Sequence, residues 1–137
     1  NIGGTKNTAV GFEALTTNLS GTDNTALGYN ALKSNTVSQN TAVGSQTLYS
    51  NNSGIQNTAL GHNALYSNNA NQNTAVGFEA LKGNQSGTDN TALGHKALQD
   101  NRTGNSNVAV GRTSLDAKPQ GCTFFSINFL ATSLDSK

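Results

Sequence analysis

The residues in this chain best equipped for chemistry are two histidines, two pairs of repeated acids and one cysteine. His62 and His95 occupy the same place in a repeated unit, two units apart. If units stack like parallel strands, about 4.7–4.9 Å apart, the two rings lie about 9–10 Å from each other. One ion with ligand bonds near 2.1 Å cannot be shared over that distance. The same slot carries Phe12, Tyr29, Ser45, Phe78 and Arg112, so it reads as a place for planar or polar groups. Asp23 and Asp89 sit in SGTDN turns with no repeated acid ladder. A calcium site needs about six to eight oxygens, so turn hydrogen bonding is the better reading. Glu13 and Glu79 repeat without an acid partner, which leaves paired-carboxylate hydrolysis unsupported. Cys122 has no neighbouring His to activate it as a nucleophile. The phosphate-cradling pattern GxxxxGK[ST] is missing from the sequence. The expectation is a protein that is not an enzyme, with no catalytic residue, metal or cofactor. Four N-x-[ST] sequons, at Asn18, Asn51, Asn84 and Asn101, fall in turns. In a source that glycosylates they would decorate one edge of the molecule; otherwise they are a by-product of Asn/Ser/Thr-rich turns.

What positions these residues is an internal repeat. NTAVGFEAL begins at Asn7, NTALGYNAL at Asn24, NTAVGSQTL at Asn40 and NTALGHNAL at Asn57. NTAVGFEAL returns at Asn73, followed by NTALGHKAL at Asn90 and NVAVGRTSL at Asn107. The spacings are 17, 16, 17, 16, 17 and 17 residues. A segment from Val10 matches one from Val76 closely, an offset of 66 residues that suggests duplication of a four-unit block. Ala recurs at Ala9, Ala26, Ala42, Ala59, Ala75, Ala92 and Ala109, and Gly at Gly11, Gly28, Gly44, Gly61, Gly77, Gly94 and Gly111. Leu recurs at Leu15, Leu32, Leu48, Leu65, Leu81, Leu98 and Leu115.

Helix-pair repeats need about 33–47 residues, so a unit this short with a central Gly cannot hold two helices and their turns. NTAV places Thr and Val on one side and Asn and Ala on the other, the alternation of a short strand. Gly11 supplies a bend, and FEAL reads as a second short strand. The remainder, such as TNLSGTD and SNNSGIQ, is turn chemistry. The predicted fold is an all-β parallel β-solenoid, or β-roll, of seven rungs of 16–17 residues. Six steps of strand spacing give a rod of roughly 29 Å. Asn should stack on Asn as an amide ladder. The Val/Leu after each Ala, and the later Leu, are expected to fill the interior. The invariant Ala implies close approach of another backbone, either within the coil or from a neighbouring chain. Residues 1–6 read as the end of a preceding rung, 7–116 as the array, and 117–137 as a C-terminal cap or plug rich in Phe.

Composition agrees with a thin core: 34% of residues are hydrophobic and 11% charged, against roughly 45–50% and 25% in ordinary domains. Two large aliphatics per rung contribute roughly 1.5–3 kcal/mol each, while ordering each residue costs roughly 1–2 kcal/mol. That balance favours association with further copies, as a homotrimer or an end-to-end polymer. Net charge is +1, with no basic stripe for nucleic acid, and no apolar run of membrane-spanning length is present. The chain opens on Asn1 with no Met or signal peptide and reads as a piece of a longer or processed protein.

The units NTAVGFEAL, NTALGYNAL and NTALGHNAL, joined by Ser/Asn/Gly turns over 7–115, resemble the repeats of phage tail-fibre proteins. They are similar, more loosely, to the heads of trimeric autotransporter adhesins. The resemblance implies a left-handed parallel β-roll, three chains about one axis, and a role in attachment. Rungs here are longer than those of adhesin heads, and Cys122–Lys137 lacks the SDxRLK-like start of a self-cleaving chaperone. The expected function is therefore a structural part of an extracellular, cell-surface or virion fibre. Its expected partners are copies of itself and a host-surface glycan or receptor. The alternatives are an ice-binding solenoid, suggested by the column Thr8, Thr25, Thr41, Thr58, Thr74 and Thr91, or a glycan-binding one. A second Thr column is missing, and Val108 ends the first.

Overall fold

The computed structural model describes residues 3–115 and the backbone of 125–127. The predicted solenoid is there. Strands β1 (Thr8–Val10), β2 (Thr25–Leu27), β3 (Thr41–Val43), β4 (Thr58–Leu60), β5 (Thr74–Val76), β6 (Thr91–Leu93) and β7 (Val108–Val110) stack in chain order into one parallel sheet. Register is unbroken: Thr8 opposes Thr25, Ala26 opposes Ala42, and so on through Ala92 and Ala109. An eighth strand, β8 (Phe125–Ile127), pairs with β7, Val108 opposite Phe125. The coil period therefore continues into 117–137, where the residue types no longer repeat. No helix occurs among the described residues. Cys122 and the rest of the expected cap lie outside the described residues.

Each coil has one strand, not two. FEAL and its equivalents are turns, and the reason is backbone conformation. Glu13 and Leu15 have φ of 53° and 54°, and the same left-handed pair recurs at Gln46 and Leu48, and at Glu79 and Leu81. Strands need extended backbone with negative φ, so two such residues within four end any strand. A third left-handed position precedes each repeated Asn, as at Lys6, Asp23 and Gln39. Each costs about 1–2 kcal/mol for an L-residue. Hydrogen bonds between coils offset this. Leu15 N–H donates to Ala31 carbonyl at 3.0 Å, and Leu32 N–H to Thr47 carbonyl at 3.0 Å, so the ladder continues through the turn.

The interior inverts one expectation. Thr and Val/Leu do share a side, but that side faces outward: Val10 is 56% exposed and Leu60 46%. Ala26, Ala42, Ala59, Ala75, Ala92 and Ala109 are fully buried. The core holds this Ala column, a second small-residue column (Ala31, Thr47, Ala64, Ala80, Ala97, Ser114) and the Leu column. A single coil is too narrow for a β-branched or Leu side chain opposite Leu, and Ala is what fits. The close approach implied by the invariant Ala is thus within the coil.

Two Asn columns complete the interior. The expected ladder runs through Asn24, Asn40, Asn57, Asn73, Asn90 and Asn107, all buried. It works side chain to backbone: Asn40 Oδ1 accepts from Asn57 N–H at 3.0 Å, and Asn57 Oδ1 from Asn73 N–H at 2.9 Å. A second column, Asn18, Asn35, Asn51, Asn68, Asn84 and Asn101, is also buried. Asn51 Nδ2 donates to Gly54 carbonyl at 2.8 Å, and Asn51 Oδ1 accepts from Gly54 N–H at 3.1 Å. Asn40 Nδ2 reaches the same carbonyl at 2.9 Å, so two amides hold one turn oxygen. In the shorter coils Asn35 and Asn68 donate instead to Val37 and Ala70 carbonyls, at 2.7 and 2.8 Å, with one residue fewer between donor and acceptor. The alternation of 16 and 17 residues is absorbed in this turn.

The second column includes all four sequons. Asn18, Asn51 and Asn84 have no exposed surface and Asn101 only 4%. A glycan on any of them is incompatible with the folded coil, so these positions do not decorate an edge of the rod.

Candidate functional site: the outward columns

With small and amide side chains inside, the chemistry of this protein lies in the columns that face out. The residue after each repeated Gly forms one of them. Phe12 stacks on Tyr29 with ring centroids 5.8 Å apart. Ser45 interrupts the column, which resumes with His62 on Phe78 at 5.4 Å and Phe78 on His95 at 5.1 Å. The planes lie within 13° of parallel. Coil spacing imposes this geometry, and flat side chains are what fits it. Phe78 stands between His62 and His95, so the two imidazoles do not converge. Among the described residues no group of three His, Cys, Asp or Glu side chains could hold a metal ion. No described helix is long and apolar enough to cross a membrane.

A second outward column begins one residue after the buried Leu: Thr16, Lys33, Tyr49, Tyr66, Lys82 and Gln99. Tyr49 and Tyr66 stack at 4.9 Å with planes 2° apart. Lys33 Nζ sits 5.7 Å from the Tyr49 ring centroid and 2.6 Å from Glu13 Oε2. That carboxylate, more than the Tyr49 ring, raises the Lys33 ammonium above its ordinary value. The signal for this column was the constant offset from the repeated Leu, which residue types varying from Thr to Tyr conceal.

Glu13 and Glu79 are ion-pair members. Glu79, largely buried, accepts from Lys82 Nζ at 2.6 Å and from Gln99 Nε2 at 2.9 Å, with Lys96 Nζ at 3.7 Å. The Lys82 hydrogen bond leads in holding its carboxyl below the usual range, against opposing desolvation. Because the folded form binds its proton less readily than the unfolded chain, stability from this cluster is present above pH 4.5 and lost as pH falls below it. Water reaches the lysines, so the contribution is about 1 kcal/mol or less. Glu79→Gln is expected to flatten that part of the acid limb in urea melts compared at pH 7 and pH 3. An unchanged pH dependence would show that the cluster contributes nothing.

Asp23 behaves as a turn residue. Its φ is 57°, its N–H donates to Thr5 carbonyl at 3.2 Å, and its Oδ2 accepts from Thr22 Oγ1 at 3.1 Å. Asp89 repeats the conformation with φ 59°.

On the strand face, Thr and Val/Leu form two parallel outward columns. Val10, Leu27, Val43, Leu60, Val76, Leu93 and Val110 make a continuous aliphatic line along the rod, with Phe12, Tyr29 and Phe78 beside it, two residues further on in the coil. No protein-family model matches the sequence, and neither the curated proteins nor the solved structures contain a match.

Proposed function

We propose that this chain is a structural segment of an extracellular, cell-surface or virion fibre that serves attachment and works as associated copies of itself, three about a common axis. The observation that carries the reading is the aliphatic line on the outward sheet face. Val and Leu recur there in every coil, with no charged residue among them, although the position is open to water. Exposed apolar surface of this continuity marks an association surface. Its periodicity is the rod's own, so a second copy with the same coil spacing meets it at every step. The resemblance to tail-fibre repeats supports three chains and attachment.

The test is a charge placed on that line. Leu60→Glu combined with Val76→Glu is expected to give a monomer in sedimentation while the circular dichroism stays that of the parent, because both side chains lie outside the coil. A variant with undiminished mass would overturn the association surface.

A second reading has one observation in its favour. The Thr column shares the outward face with the aliphatic line, in unbroken register on a parallel sheet. Such a flat Thr and Val/Leu face is the kind of surface that orders ice-like water. Thermal hysteresis in the parent, lost in Thr58→Tyr, would establish it; freezing with no hysteresis gap would remove it.

A further inference from the structure

The column two residues past the buried Leu runs Thr17, Ser34, Ser50, Ser67, Gly83 and Asp100. Gly83 alone among these has no side chain, and the fold does not require that. Its φ is not in the left-handed region, and an added Cβ would come 3.1 Å from Gln99 carbonyl and 3.9 Å from Asp100 Cα. At Gly77, by contrast, φ is +135° and the added carbon would run into the Gly94 backbone. Ser34, Ser50 and Ser67 show that the coil takes a hydroxymethyl group at this place.

What the glycine leaves is a cavity of about 330 Å³, lined by Tyr66, Ser67, Lys82, Gly83, Gln99 and Asp100. That lies at the low end of the range of small-ligand sites, about 300–1,000 Å³. Tyr66 is stacked on Tyr49 by one face, which fixes its ring as a rigid platform. Lys82 and Gln99 are themselves held by Glu79, at 2.6 and 2.9 Å. The walls carry a hydroxyl, an amide, a carboxylate and an ammonium, and no aliphatic side chain.

We propose that this notch binds one neutral pyranose residue of a glycan. A pyranose presents a C–H face that lies on an aromatic ring and a rim of hydroxyls that both donate and accept. Tyr66 supplies the platform, the Asp100 carboxylate and Ser67 accept, and Gln99 and Lys82 donate. A lipophilic ligand would find no aliphatic wall here. An anionic sugar would find the Lys82 charge already answered by Glu79 and would meet Asp100 as well. The site lies within one chain and does not depend on association of copies.

Saturation-transfer NMR on the full chain, with the methyl glycosides of galactose, glucose, mannose and N-acetylglucosamine as probes, tests the proposal. Transfer to the ring protons of one pyranose face is expected for at least one probe. Gly83→Ser fills the notch and Tyr66→Thr removes the platform, and each substitutes a residue type that other coils already carry there. Both are expected to weaken the signal roughly tenfold or more with circular dichroism unchanged. No transfer from any of the four glycosides, or transfer undiminished in both variants, would overturn it.

Discussion

Gly61→Ala, one methyl group in the middle coil, is expected to lower the melting temperature by roughly 10 °C or more. Three effects act together. Gly61 has φ of +134°, which an L-residue adopts only under strain. The new Cβ would lie 2.5 Å from Gly77 carbonyl oxygen and 2.8 Å from its carbon, both backbone atoms that cannot swing aside. Opening that gap pulls on the bond from Gly61 N–H to Val43 carbonyl, now 2.9 Å, and on the coil above. Overpacking and strain together come to about 3–5 kcal/mol. Gly83→Ala is the control, a glycine with neither constraint, and should change stability by less than about 1 kcal/mol. Thermal melts of the two variants side by side decide the matter. Equal effects would mean that the Gly column is not what spaces the coils.

Asn57→Ala should cost a comparable amount. Asn57 is buried and uses every polar atom of its side chain. Oδ1 accepts from Asn73 N–H at 2.9 Å, and Nδ2 donates to Ala70 carbonyl at 2.9 Å and to Asn40 Oδ1 at 3.1 Å. Truncation leaves Asn73 N–H without its acceptor, worth about 1–3 kcal/mol, and opens a void that adds to it. Asn57→Asp separates the two halves of this role. The carboxylate keeps the acceptor but turns the donor into a second acceptor facing Ala70 carbonyl and Asn40 Oδ1. Burial among acceptors raises the folded-state pKa of that acid above its unfolded value near 3.9. The penalty is therefore full above the folded pKa and disappears as pH falls below the unfolded one. Relative to the parent, Asn57→Asp should regain stability on acidification, as read from urea midpoints at pH 7 and pH 4. Asn52→Ala, at an exposed turn position, should be neutral by the same measurement. A neutral Asn57→Ala would refute the amide ladder as a structural element.

Much of this fold was legible because the repeat compares the chain with itself. The unit length, the single NTA strand, the in-register stacking, the Asn ladder and the pairing of Thr with Val on one side all follow from which positions never change. The direction of that side did not follow. Val and Leu are ordinarily core residues, and hydrophobicity alone places them inside. In this coil the space opposite Leu48 or Leu65 admits only Ala, and the amides of Asn40 and Asn57 are needed inside to satisfy turn carbonyls that water cannot reach. Polar satisfaction and width together outweigh hydrophobicity, and the aliphatics are displaced outward.

FEAL misled for another reason. Glu, Gln, Lys and Leu carry no residue-type signature of left-handed backbone, so neither Glu13 nor Leu15 announced its φ. The second Asn column was visible at a constant offset from the first, but Asn18, Asn51, Asn84 and Asn101 resembled glycosylation sequons and were read as turn surface. Of the candidate site, the slot of Phe12, Tyr29, His62 and Phe78 was legible as a column. The Tyr66 notch was not, since it arises from a side chain missing at Gly83 and from neighbours in three successive coils.

Native mass by sedimentation equilibrium across a dilution series tests the fibre reading most directly. Three chains of 14.1 kDa each, with the mass steady on dilution, is the expected result. A steady mass of one chain would contradict it, and would leave the outward Val/Leu line as a surface for something other than a second copy.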